Sequence, residues 1–200
     1  MSSFKGIFGF NDIELKDLLI SSLVIALVVV WPRGFPTLNA GFLFQYVAAL
    51  FTVGTAFILH ELAHRTVARH FGAWSEFRAW YEGLGIALFL KVILGFTFIS
   101  PGAVYVSKNY LTTKENGLIS IAGPLTNIAL AVLFLVLPIP AIYYSGYYID
   151  IAGFGYYVNV FLAFFNMLPI YPLDGSKVIR WNFSIWAAIF IPLVALYFFV

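Results

Sequence analysis

Cysteine is absent from all 200 residues. That excludes disulfides and restricts any metal site to His, Asp and Glu donors. Charge is scarce as well: eleven basic and nine acidic residues leave a net charge of +2, and charged side chains make up 10% of the chain. There is no basic run or arm of the kind that gathers nucleic acid. Polar surface is the third shortage. Hydrophobic residues reach 62% and the mean hydropathy is +0.94, more apolar surface than a soluble core of this size can hide. The composition is that of an all-α polytopic protein held in a lipid bilayer, without room for a large domain outside it. A cleavable leader is also missing. The first apolar run, Leu18 to Trp31, passes into Pro32-Arg33-Gly34 without a small-residue cleavage site, so it is expected to be a retained span. No repeat, linker or low-complexity tract divides the sequence, and residues 1–200 read as one domain. The chain stops inside an apolar run at Val200, which leaves a longer natural chain open.

A bilayer core of about 30 Å needs about 20 helical residues. Five runs meet that need: Ile13–Trp31, Gly41–His70, Asn116–Leu137, Tyr147–Leu168 and Phe183–Val200. A sixth crossing depends on the stretch around residues 72–106. It carries Gly72, Gly83, Gly85, Gly95, Pro101 and Gly102 between aromatic and β-branched residues, a pattern of extended or hairpin structure. Backbone of that kind at membrane depth must be covered by protein or water, which places Gly83–Val106 at the inner interface or in a re-entrant position. The alternative is an ordinary helix from Leu84 to Ser100. Basic residues separate the two. With the N-terminus in the cytoplasm and no crossing by Gly83–Val106, Lys5, Lys16, Arg65, Arg69, Arg78, Lys108, Lys114, Lys177 and Arg180 all fall inside, Arg33 falls outside, and Lys91 is left unassigned. A crossing by Leu84–Ser100 would destroy that bias.

Phe42 to Leu59 contains no charged residue, and then His60-Glu61-Leu62-Ala63-His64 begins. Ionisable groups at bilayer depth are costly, so an intramembrane cluster of them marks a functional site. On a helix, positions i and i+4 share a face, so His60 and His64 can hold one zinc ion with Glu61 beside it as general base. A catalytic zinc needs a third protein ligand and one open position. Asp174 is the candidate, in Asn166-Met167-Leu168-Pro169-Ile170-Tyr171-Pro172-Leu173-Asp174-Gly175. The prolines stop a regular helix, and Gly175 permits backbone conformations closed to other residues. The charge-based topology brings His64 and Asp174 to the same, cytoplasmic side.

The other acids fit solvated positions better. Glu76 and Glu82 flank the glycine-rich stretch, Asp150 sits at the outer end of its span, and Asp12, Glu14 and Asp17 lie in the first turns of the first span. Glu115 suits the first turn of a helix starting near Thr113, where a negative side chain favours the macrodipole. His70 suits an interfacial position more than ligation. In Ala122-Gly123-Pro124-Leu125-Thr126-Asn127, the Gly-Pro pair locally opens a helix. Asn127 there serves either helix packing or a place near the substrate carbonyl.

Taken in order, His60–His64, Arg65-Thr66-Val67-Ala68-Arg69-His70-Phe71-Gly72, Gly123-Pro124 with Asn127, then Asn159, Asn166, Pro169, Pro172 and Leu173-Asp174-Gly175 resemble the site-2 protease family of intramembrane zinc metalloproteases. The resemblance runs from about Gly41 to Gly175. It implies one zinc ion on His60, His64 and Asp174, Glu61 as base, a site on the cytoplasmic side of a cell membrane, and transmembrane proteins as substrates. It further implies that Asn127 and Asn166 lie near the substrate or the active-site backbone, and that glycine-rich extended structure comes after the HExxH helix. Many relatives carry a PDZ or CBS module, and this chain shows neither.

Two other classes remain open to the sequence. One is a metal-ion or proton transporter or channel using the His/Glu/Asp cluster, although no repeated pair of broken helices is visible. The other is an inactive scaffold that binds membrane helices, against which the intact Glu61 argues. The oligomeric state is not written in the sequence.

Overall fold

The computed structural model describes residues 9–32, 34–97, 101–144 and 146–199. Lys5, Arg33, Val200 and the end of the alternative Leu84–Ser100 helix lie outside them. The described residues are mostly helical, as composition requires. Helix α1 spans Asp12–Val30, opened by Asn11, whose side chain accepts from the Glu14 N–H at 2.7 Å. Helix α2 spans Ala40–His70, 31 residues or about 46 Å, capped by Asn39 on the Phe42 N–H. A π turn at Leu50–Gly54 interrupts it. There Thr52 donates its hydroxyl to the Ala48 carbonyl at 2.9 Å and Thr55 donates to that of Phe51. Such an insertion resets the angular phase of the helix downstream of it, here the turn that carries His60.

The stretch around residues 72–106 is a strand, a helix and a strand. Strand β1 (Trp74–Ala79) pairs antiparallel with β2 (Gly102–Ser107), in register from Trp74↔Ser107 to Ala79↔Gly102. Between them lies α3 (Tyr81–Leu94), ended by Gly95 at φ 71°. The expected hairpin is present, but its connection begins as a helix where the sequence pattern predicts extended chain. Leu84, Ala87 and their neighbours pack on α1, and this tertiary contact outweighs Gly83 and Gly85. Because Ala79 and Gly102 are partners, the chain returns to its starting point. Helix α3 has 14 residues, a rise of about 21 Å.

Two acids of α1 are buried, not solvated as the sequence suggests. Glu14 and Asp17 are 0% and 3% exposed. Strand β1 has a partner on one side only, and these two carboxylates supply acceptors on its other side. Glu14 Oε1 accepts from the Phe77 N–H at 3.1 Å and Asp17 Oδ2 from the Ala79 N–H at 3.2 Å. Glu14 is also paired with Arg65 Nε at 2.7 Å, and Asp17 Oδ1 accepts from the Tyr81 hydroxyl at 2.6 Å. Glu76 is buried too, between Asn11 Nδ2 and Arg78.

Helix α4 (Thr113–Val136) starts as expected, with a capping box between Thr112 and Glu115. It continues through Pro124 without a break. A short hairpin comes next, β3 (Ile142–Tyr144) with β4 (Tyr147–Ile149), which hydropathy alone assigns to a turn and a helix start. Asp150 then caps α5 (Ile151–Asn166). The Pro-rich break is after it, with a cis Tyr171–Pro172 bond. Two helices complete the chain, α6 (Asp174–Trp181) and α7 (Phe183–Phe199). Helix α4 is central and packs on α2, α5 and α6. Among the described residues, α2 and α4 are long and apolar enough to cross a bilayer, and α5 and α7 are shorter apolar helices.

Candidate metal centre

The site forms where α2, α4 and α6 meet. His60 and His64 stand one turn apart on the α2 face that meets α4, with ring centroids 4.6 Å apart and edges to faces. Both are buried. Asp174, the first residue of α6, is buried against them. Its Oδ2 lies 3.5 Å from His60 Nε2 and 3.1 Å from His64 Nε2, and the two Nε2 atoms are 2.9 Å apart. These side chains are the one group of three potential metal ligands among the described residues, with ligand atoms within 4.8 Å of one another. Two residues from one helix and one from a helix far later in the chain therefore converge, as HExxH and Asp174 predict.

Each neighbour has a reason in the sequence. Helix α4 can approach the rings only because residue 123 is glycine. A Cβ there would fall on the Nε2 atoms of His60 and His64. Asp174 is set by the break before it. A Cβ on Gly175 would collide with the Met167 and Leu168 carbonyls, so glycine lets α6 start tight against the end of α5. Gly175 is not among the glycines with positive φ, so close approach, and not the special conformation expected, is what requires it. Trp186 Nε1 donates to the Met167 carbonyl at 2.9 Å and fixes the same turn from α7.

The remaining nitrogens of the imidazoles face oxygen. His60 Nδ1 is 2.6 Å from Asn127 Oδ1, and His64 Nδ1 is 2.7 Å from the Ile119 carbonyl. In neutral imidazoles each Nδ1 then carries the proton and donates, which leaves each Nε2 with a bare lone pair. Two lone pairs and a carboxylate oxygen face one another at about 3 Å. Three acceptors without a donor repel; a cation among them reverses the sign. A tetrahedral zinc with bonds of about 2.0–2.2 Å spaces its ligand atoms roughly 3.3–3.6 Å apart, close to the distances here. The donor set fits zinc.

Glu61, half-buried, is next to His60 in the chain and lies within Coulombic range of His60, His64, Asp174 and Lys177. Lys177 Nζ is 3.6 Å from Asp174 Oδ1, the oxygen turned away from the rings. Asn127 is fully buried, its Nδ2 donating to Asn159 Oδ1 at 2.9 Å and to the Ala56 carbonyl at 3.3 Å. Its donors are thus engaged inside the protein, and it meets the site through His60. Asn166 ends α5 and donates Nδ2 to the Leu162 carbonyl at 3.0 Å. Sequence reasoning assigns no role to Ile119, Lys177 or Asn159. A backbone carbonyl leaves no mark in a sequence. Asn159 does, as an amide in the otherwise apolar run from Ile151 to Phe165.

Neither the comparison with family models nor that with solved structures finds a match. Among curated proteins the chain is 52% identical to one from Methanocaldococcus jannaschii over 191 residues, 94% of each chain. It is 33% identical to Rip2 of Mycolicibacterium smegmatis over 135 residues, 58% of this chain and 50% of that one. It is 30% identical to Rip3 of Mycobacterium tuberculosis over 125 residues, 62% of this chain and 28% of that one. All three bear the name "putative zinc metalloprotease". Identity at half the positions of nearly a whole chain, joined to an HExxH helix and an acid converging on its histidines, decides the matter: the chain belongs to the site-2 protease family of zinc metalloproteases.

Proposed function

We propose that this chain is an intramembrane zinc endopeptidase that hydrolyses peptide bonds within or near the transmembrane helices of other proteins. One observation carries the reading: Asp174 reaches the paired Nε2 atoms of His60 and His64 with Glu61 alongside. His60, His64 and Asp174 would hold the ion. When bound, zinc lowers the pKa of water to about 7 and polarises a carbonyl. Glu61 accepts the proton of the attacking water and returns it to the leaving amine nitrogen. His60, His64 and Asp174 are buried, which limits bulk water around them and strengthens each charge interaction there.

The membrane part of the proposal rests on exposure. Leu43, Val47, Phe51, Leu135, Val136, Ile191, Phe198 and Phe199 are all more than half exposed, a belt that lipid would cover. The return of β2 to β1 keeps the HExxH end of α2 and the start of α6 on one side, which is cytoplasmic if the basic residues there obey the usual bias. A helical substrate hides its carbonyls in its own hydrogen bonds and must be opened before cleavage. The side of β2 away from β1 could receive the opened strand by β-addition.

The test uses the whole chain purified in detergent with a transmembrane peptide. Wild type is expected to cleave it, and Glu61→Gln to retain zinc while losing at least about a hundredfold in rate. His60→Ala and Asp174→Ala are expected to lose the zinc itself. Cleavage by Glu61→Gln at the wild-type rate would refute the assigned base. Metal flux into liposomes without any cleavage would replace the protease reading by that of a transporter.

A further inference from the structure

The two histidines are held in the metal-binding tautomer by different means. His64 donates Nδ1–H to a backbone carbonyl, that of Ile119, which can only accept. His60 donates to a side-chain amide, that of Asn127. An amide can turn over. If Asn127 presented its NH₂ to His60, Nδ1 would become the acceptor and the proton would move to Nε2, the atom aimed at Asp174. An Nε2–H cannot bind a metal.

We infer that Asn159 is a positioning residue that fixes the orientation of the Asn127 amide, and through it the tautomer of His60. The direction of every bond in the chain of amides is set by its backbone ends. Asn159 Nδ2 donates to the Gly155 carbonyl at 2.8 Å, so its Oδ1 must face the other way, toward Asn127. That oxygen accepts from Asn127 Nδ2 at 2.9 Å. The Ala56 carbonyl, one turn before His60 on the same helix, accepts from the same Nδ2 at 3.3 Å. Two acceptors thus hold the NH₂ group, and Asn127 Oδ1 is left for His60 Nδ1. Reversing Asn127 would set its oxygen against two other oxygens in a fully buried place, since Asn127 and Asn159 are both 0% exposed, and such unpaired contacts are costly. Asn159 touches neither the imidazoles nor Asp174, so it acts only through Asn127. The inference presupposes the metal reading of the site but makes a claim about the protein before metal binds.

The experiment is long-range ¹⁵N–¹H NMR on full-length, metal-free protein labelled at histidine, together with zinc affinity measured by chelator competition. In wild type at a pH where the rings are neutral, both His60 and His64 are expected as Nδ1–H tautomers. In Asn159→Leu, which removes both polar ends at similar volume, His60 is expected to show mixed tautomers, while His64 keeps the wild-type pattern. Zinc affinity is expected to fall about ten- to a hundredfold. In Asn159→Asp, protonated in its buried place, the hydroxyl still donates to Gly155 and the carbonyl still accepts from Asn127, so His60 is expected to keep its tautomer and most of its affinity. An Nε2–H tautomer for His60 in the wild type overturns the inference without any variant. So does a folded Asn159→Leu with unchanged His60 signals, or an equal loss of affinity in the Leu and Asp variants. Failure of wild type to bind zinc at all, with the tautomers as stated, would instead strike the metal reading and leave the relay standing.

Discussion

Two glycines near the site do opposite work, and adding one methyl group to each separates the roles. At Gly123 the new Cβ would meet the far ends of two imidazoles, which can swing. Gly123→Ala is therefore expected to keep its fold and lose zinc affinity by at least about tenfold, read as metal content against an unchanged unfolding transition. At Gly175 the Cβ would meet main-chain oxygens and a carbonyl carbon of Met167 and Leu168, which cannot move without their helix. Gly175→Ala is expected to cost stability, about 1–3 kcal/mol, read by denaturant unfolding. The residues of the site are legible in the sequence to very different degrees. His60, Glu61 and His64 form one short pattern with one mechanical meaning, and Asp174 stands beside a proline-rich break between two helices. Lys177 carries no signal, because a lysine one turn after an acid is common on any helix. Gly123 reads only as a packing residue until the rings are seen against it.

At the scale of elements, the sequence shows what a helix wants and conceals what a strand lacks. Hydropathy locates α2, α4 and α7 nearly to the residue, and the Thr112–Glu115 box marks the start of α4. Glu14 and Asp17 have no visible partner in the sequence, which is why solvated positions suit them there. The partners of Glu14 and Asp17 are the unpaired edge of β1 and the cation of Arg65, more than fifty positions away. Those distances close only when α1, α2 and β1 assemble. The Glu14–Arg65 pair also ties α1 to the turn just after His64, under the ring of Phe10, whose centroid is 4.2 Å from the guanidinium. Both partners are fully buried. Glu14→Ala would remove the buried carboxylate that faces Arg65 and accepts from the Phe77 N–H, and is expected to destabilise by about 3–5 kcal/mol. Glu14→Gln can still accept from Phe77 and should lose less. Adding Arg65→Met to Glu14→Ala should recover part of the loss, because a buried charge that has lost its carboxylate is then replaced by an apolar side chain. Denaturant unfolding of the three variants orders them; an Ala variant no weaker than Gln would show that the Phe77 N–H does not need an acceptor from residue 14.

For the whole molecule, the decisive feature is the pairing of Ala79 with Gly102. A segment that leaves and returns to one point makes no net crossing, whatever its hydropathy. If the apolar helices cross a bilayer, that pairing lets α6 present Asp174 to a helix whose residues lie so far back in the chain. The same logic fixes which surfaces share a compartment if the belt of exposed apolar side chains lies in lipid. Lys108, after β2, and Lys177, on α6, should be on one side, and Tyr143, in the exposed β3–β4 hairpin, on the other. The absence of cysteine makes the test clean, since any introduced thiol is the sole one in the chain. In sealed vesicles, a membrane-impermeant maleimide should label Lys108→Cys and Lys177→Cys alike, and Tyr143→Cys only from the opposite face. Labelling of Lys108→Cys and Lys177→Cys from opposite faces would mean that a membrane separates β2 from α6. The convergence of Asp174 on His60 and His64 could not survive that result, because no carboxylate reaches across about 30 Å of hydrocarbon to share an ion.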